Sequence, residues 1–157
     1  MTPEQMQTLA TALRAETDPV AADHVANRRD VQIAEWCNAA SSVNAWNSSM
    51  TARDLFEATD VTKFDNLTAG KRESWSRLER FAPIDFSRNK MRAAVKDVWG
   101  VTDAPVVMAN CTRTATNAEA YLGGKSATES GVTALKLNWT GTLSHPEISD
   151  ILNNYKG

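Results

Sequence analysis

Helix-start signals recur along the chain, apolar residues fall three and four apart, and one short stretch alternates strictly. These observations predict a mainly α protein: a single-domain bundle of six to eight short helices, with a small β element near residues 134–143. The 157 residues are 42% hydrophobic, enough for one domain to bury a core. Five tryptophans and two widely separated cysteines exclude a disordered chain and a disulfide scaffold.

Thr2 caps a helix that starts at Pro3, with Gln5 reaching back and Met6, Leu9, Ala10 and Leu13 forming one stripe. Asp18-Pro19 starts a second helix, to about Arg28, carrying Val20 and Val25. Asp30 caps a third, with Val31, Ile33, Ala34, Trp36 and Cys37. Polar Asn38 to Ser49 reads as a loop, pinned by Val43 and Trp46. Thr51, with Asp54 three residues on, starts a short helix holding Leu55 and Phe56, and Phe64 and Leu67 occupy a further turn. Thr68 caps a helix in which Trp75, Leu78, Phe81 and Ala82 share an inward face, and Pro83 stops it. Ser87 begins the next, with Met91, Ala94, Val95 and Val98 inward and Gly100 as its stop. Helical stretches at about 103–110 and 114–122 end at Gly123-Gly124.

The last third changes character. Residues 123–133 are small and polar, as in an exposed flexible loop. Leu135, Leu137 and Trp139 then alternate with Lys136 and Asn138, the period of a strand with one wet face. That strand has no partner in its own chain unless Val43 to Trp46 or Val106 to Met108 supplies it, so it suits pairing between subunits. Ser144-His145-Pro146-Glu147 caps a terminal helix with Ile148, Ile151, Leu152 and Tyr155 on one stripe. The organisation expected is a helical domain over 1–122, a flexible loop and strand over 123–143 that make a subunit contact, and a C-terminal helix over 144–157.

The residues assemble no catalytic or metal-ligating set. Gly124-Lys125-Ser126 resembles the end of a phosphate-binding loop, yet position 119 is Glu where glycine is required, and a helix rather than a strand precedes it. His24 and His145, the two imidazoles, stand in neither ligand nor triad spacing. Cys37 and Cys111 read as reduced, buried thiols. A non-enzymatic protein without cofactor is expected. Neither a basic leader with an apolar core nor a window of about 18 apolar residues is present, so neither a secretory signal nor a membrane span is expected.

Charge is unevenly spread. Residues 63–96 hold nine Lys or Arg against four acids, and the remainder holds eight against fifteen. Such a chain can pair its own faces in an oligomer or present its basic face to nucleic acid, and the plainer reading is a solvated helical surface. Trp46 and Trp139, outside the helices, are candidate subunit contacts. So are Leu135, Leu137 and the basic Arg88, Lys90 and Arg92.

Four stretches carry a resemblance: residues 80–100 (Arg-Phe-Ala-Pro-Ile-Asp-Phe-Ser-Arg-Asn-Lys-Met-Arg-Ala-Ala-Val-Lys-Asp-Val-Trp-Gly), Leu13 to Pro19, Glu35-Trp36-Cys37-Asn38, and Gly141-Thr142-Leu143-Ser144. Together they resemble small virion structural proteins of tailed bacteriophages, and most of all head–tail connector (adaptor) proteins. The resemblance implies a virion protein, assembled in the bacterial cytoplasm, that joins the capsid portal to the tail as a homo-oligomeric, dodecameric ring. Its implied partners are further copies of itself, portal and tail or neck proteins, and passing duplex DNA without sequence readout. The alternative, from the charge alone, is a DNA-binding packaging or regulatory module that uses the basic helices over 63–96.

Overall fold

The computed structural model describes residues 1–155. In chain order the elements are α1 (Pro3–Arg14), α2 (Pro19–Ala26), α3 (Asp30–Asn38), β1 (Ala40–Trp46), α4 (Ala52–Glu57), α5 (Val61–Asp65), α6 (Ala69–Arg80), α7 (Asn89–Asn110), β2 (Thr112–Thr116), α8 (Asn117–Leu122), β3 (Gly124–Glu129), β4 (Val132–Leu137) and α9 (His145–Asn154). The fold is helix-rich with a four-stranded sheet. It has nine helices among the described residues, against six to eight expected. Positions 156 and 157 of the expected terminal helix lie outside the described residues.

The helix starts follow from local chemistry. At α1, Thr2 N–H donates to Gln5 Oε1 at 2.8 Å and Gln5 N–H to Thr2 Oγ1 at 3.3 Å. Asp18 Oδ1 accepts from the amides of Val20 and Ala21 at the start of α2. Glu147 accepts from both the amide and the hydroxyl of Ser144 at the start of α9. Asp30 does not cap α3: it is the first helical residue, and Arg29 precedes it without a side-chain capping bond. Gly100, at φ 68°, breaks α7 into two helical pieces, a backbone conformation that glycine adopts at little cost.

The chain divides into two compact units instead of one. The first comprises residues 1–43, 114–124 and 137–157, and the second residues 44–113 and 125–136. In the first unit, Leu9, Leu13, Ile33, Cys37, Ile148 and Ile151 form a core, with Trp36 and Trp139 packed against it. Asn38 fixes this unit's last segment: its side-chain amide donates to Leu143 O and its oxygen accepts from Leu143 N–H, both at 2.8 Å. In the second unit, Trp46, Leu55, Trp75, Phe86, Val95, Trp99 and Met108 form a separate core.

The strands run in the order β2-β1-β4-β3. β1 and β4 are parallel, with Ala45 opposite Leu135. Three expectations are corrected here. Residues 40–46 are a strand rather than a loop, and Val43 to Trp46 supply the partner that the alternating segment needed. Residues 124–129 are a strand rather than a flexible loop. Ser130 (φ 50°) and Gly131 (φ 79°) turn it into β4 as a two-residue hairpin. β3 lies at the sheet edge, where small polar residues serve as well as apolar ones. The stretch 114–122 is not one helix but the end of β2 followed by α8.

Candidate docking groove

The basic region of the sequence builds α6 and the first half of α7. Thr68 Oγ1 accepts from Lys71 N–H at 3.4 Å to start α6, and Trp75 anchors that helix in the core. Trp75 meets Trp99 of α7 edge to face, with ring centroids 5.4 Å apart and planes at 87°. Between the two helices lies a groove of about 370 Å³. Leu78, Ala94 and Val98 line it with Phe81, and Lys71, Arg77 and Asp97 are its charged lining residues.

Phe81 does not point inward as expected. It is 79% exposed. Six residues beyond Trp75, at about 100° per residue, it stands about 120° from the buried face, and the helix has already ended at Arg80. The sequence signal was present: Trp75 and Leu78 fit one stripe, but Phe81 over-extends it.

Arg92 and Trp46, expected as surface contacts, are both buried and belong to the core of the second unit, which corrects that reading. The bridge between Met50 and Ile84, with a bond from Phe86 N–H to Asn47 O, brings the segment before α7 alongside the residues that follow β1. Arg92 Nη1 donates to Phe86 O and Ser87 O, both at 2.8 Å, and the guanidinium lies 4.9 Å from the centroid of the Trp46 ring. A cation so held is an internal tie and faces no partner.

Most other cations of the stretch are also engaged. Lys63 pairs with Asp103 at 2.6 Å, and this carboxylate raises the lysine's pKa. Arg77 pairs with Glu73, Arg88 with Asp85, and Lys96 with Glu129. Arg72 donates to Asp65 O. Among the described residues, Lys71, Arg80 and Lys90 hold no ion pair, and all three belong to the two helices that form the groove. Lys90 stands one helical turn before Ala94 and so shares its face.

Of the remaining candidates, Leu135 and Leu137 are half-buried in β4, between β1 and β3. Trp139 lies beyond the strand, half-buried on the core of the first unit. A Cβ at Gly141 would stand 2.9 Å from Trp139 Cζ2, so the chain passes the ring where only glycine fits. Cys37 and Cys111 are free, and burial pushes both thiols up to about 12. Gly124-Lys125-Ser126 follows a helix and opens β3. Among the described residues no group of three or more His, Cys, Asp or Glu side chains could hold a metal ion, and no helix is long and apolar enough to cross a membrane.

No family model, no curated protein and no solved structure matches this chain.

Proposed function

We propose that the chain is a non-enzymatic structural subunit that assembles with copies of itself, of the kind that joins a phage portal to its tail as a homo-oligomeric ring. The observation that carries this reading is the second unit's open, apolar-floored groove, with Phe81 exposed among its lining residues. An exposed phenyl ring beside Leu78, Ala94 and Val98 offers a partner an apolar contact. The charge division supports it. The first unit has nine acids against four Lys or Arg, and the second has thirteen Lys or Arg against ten acids. A ring subunit meets its two neighbours through different surfaces, and opposite charge suits that arrangement. The resemblance to connector proteins supplies the position in a virion, with portal and tail proteins as the further partners.

The DNA-binding reading has less support. Lys63, Arg77, Arg88 and Lys96 already have carboxylate partners and Arg92 is buried, which leaves few cations of the stretch free for phosphates. Sedimentation velocity and negative-stain imaging of the purified chain test the two readings. Closed rings or concentration-dependent oligomers with weak duplex affinity are expected. A monomer at every concentration, with duplex affinity that falls steeply as salt rises, would overturn the assembly reading in favour of DNA binding.

A further inference from the structure

We infer that the α6–α7 groove is one half of a head-to-tail contact, and that its occupant is the outward face of α3 from a neighbouring copy. The inference rests on the assembly reading and specifies which surfaces meet.

The groove offers an apolar floor and a net positive rim, with Lys71, Arg77 and nearby Lys90 against the lining acid Asp97. Leu78, Ala94 and Val98 form the floor, and Lys71 and Lys90 stand on the same two helices with no carboxylate partner among the described residues. Its complement is an exposed apolar side chain one helical turn from an unpaired acid. α3 carries that pair. Val31 is 49% exposed, and Glu35 follows it four residues on, on the same side of the helix. Glu35 is exposed and makes no hydrogen bond or ion pair among the described residues. The opposite side of α3, with Ile33 and Cys37, is committed to the core of the first unit, with Ala34 at its margin, so the Val31–Glu35 side is free to dock.

The other large exposed apolar residue among the described residues of the first unit, Val20 on α2, has a nearby acid in Asp23, but that carboxylate is taken by Arg29 at 2.8 Å. The two units carry opposite net charge, so a second copy can bring an acidic unit to a groove that belongs to the basic one. Groove and helix are different patches, so the contact is heterologous. Repeated from copy to copy it closes into a ring or runs on as a filament.

Two variants separate this inference from the broader reading. Phe81→Asp spoils the groove and Val31→Asp spoils the helix. Both positions are exposed, and circular dichroism checks that each variant keeps its fold. Each alone is expected to weaken self-association at least tenfold in sedimentation velocity. Mixed one to one, they are expected to form a discrete heterodimer, because the intact groove of one meets the intact helix of the other and chain growth stops there. Glu35→Lys is expected to weaken association as well, and Lys71→Glu in the opposing copy to restore part of it.

If the unaltered chain assembles and both aspartate variants assemble normally, or their mixture stays monomeric, the inference falls while the assembly reading stands. If the unaltered chain is a monomer at all concentrations, both fall. If Phe81→Asp leaves assembly intact but abolishes duplex binding, the groove's occupant is nucleic acid and the inference falls.

Discussion

The guanidinium of Arg92 lies over the indole of Trp46, 4.9 Å from its centroid, and spends two of its donors on the carbonyls of Phe86 and Ser87. This joins α7 to β1 and to the segment between α6 and α7. Arg92→Ala would leave two carbonyls with their partner gone and the Trp46 face uncovered. Bonds to a charged donor contribute about 1.5–3 kcal/mol each, so a loss of about 2–4 kcal/mol is expected in urea unfolding. Arg92→Lys should recover less than half, because an ammonium lacks the planar fork. A loss below about 0.5 kcal/mol would show that the tie is idle.

Trp75 and Trp99 form the other rigid point of the second unit. Truncating either to Ala should cost about 3–5 kcal/mol, as for other buried large aromatics. A double-mutant cycle should give a coupling of about 0.5–1.5 kcal/mol from the edge-to-face contact. Phe81→Ala, by contrast, should change stability by less than about 0.5 kcal/mol because Phe81 is exposed. Comparable losses at Phe81 and Trp75 would mean that Phe81 is packed after all.

What could be read from the sequence, and what could not, divides along physical lines. Helix starts were legible because a cap is a local event: Thr2 with Gln5, Asp18 before Pro19, and Ser144 with Glu147 each satisfy their own neighbours. The sheet was only half legible. β1 contains one β-branched residue, Val43, among small polar ones, and it becomes a strand because β4 lies beside it, ninety residues away in the chain. β3 has no apolar alternation because it is an edge. Charge was legible as a count but not as a surface. Nothing in Arg88-Asn89-Lys90-Met91-Arg92 marks which cation turns inward, and only the fold pairs Arg88, frees Lys90 and buries Arg92. The groove was obscured by counting Phe81 into the stripe of Trp75.

Acid should weaken the fold through Asp85, whose folded form takes up its proton only at a lower pH than the ordinary carboxylates. Burial would push this carboxyl up, but bonds from Ser87 and the ion pair with Arg88 outweigh it and hold the group below its usual range. A folded value below the unfolded value, about 3.9, contributes stability that is fully present above the unfolded value and is lost as pH falls through the folded one. Glu79 has the opposite sign, since burial raises it and the fold is relieved as pH drops through its folded value. Unfolding midpoints measured from pH 6 to pH 2 should therefore fall less steeply in Asp85→Asn than in the unaltered chain. In Glu79→Gln any gain on mild acidification should vanish. Identical profiles in all three proteins would remove both assignments.

The two cysteines report on the two cores separately. Cys37 belongs to the first unit's core and Cys111 to the second's, and burial pushes both thiols up to about 12. A thiol so raised holds almost no thiolate at neutral pH, so both should resist a thiol reagent in the native chain and react fully in denaturant. Following the two by mass spectrometry through a urea titration gives each unit its own unfolding curve. Coincident curves would mean that the units unfold together, and separated curves would rank their stabilities. Rapid native labelling of either cysteine would contradict its burial.

The strand that looked unpaired in the sequence gives the sharpest test of the sheet. β4 lies between β1 and β3, so both of its edges face a neighbouring strand inside the same chain. Amides at Ala134 and Leu135 should therefore exchange slowly even at concentrations too low for assembly, by at least about a hundredfold relative to an open chain. In β3, which has one neighbour, protection should be weaker and should alternate along the strand. The hairpin depends on Gly131 at φ 79°, a conformation that costs a residue with a Cβ about 1–2 kcal/mol, so Gly131→Ala should loosen both strands together. The hydroxyls of Thr128 and Thr133, 2.8 Å apart across the hairpin, offer an independent check. Replacing both with Val should keep protection nearly unchanged, whereas replacing one should lower it, because a lone hydroxyl loses its partner. Fast exchange at Leu135 in the monomer, turning slow only in assembled particles, would dismantle this sheet and return the strand to the subunit boundary.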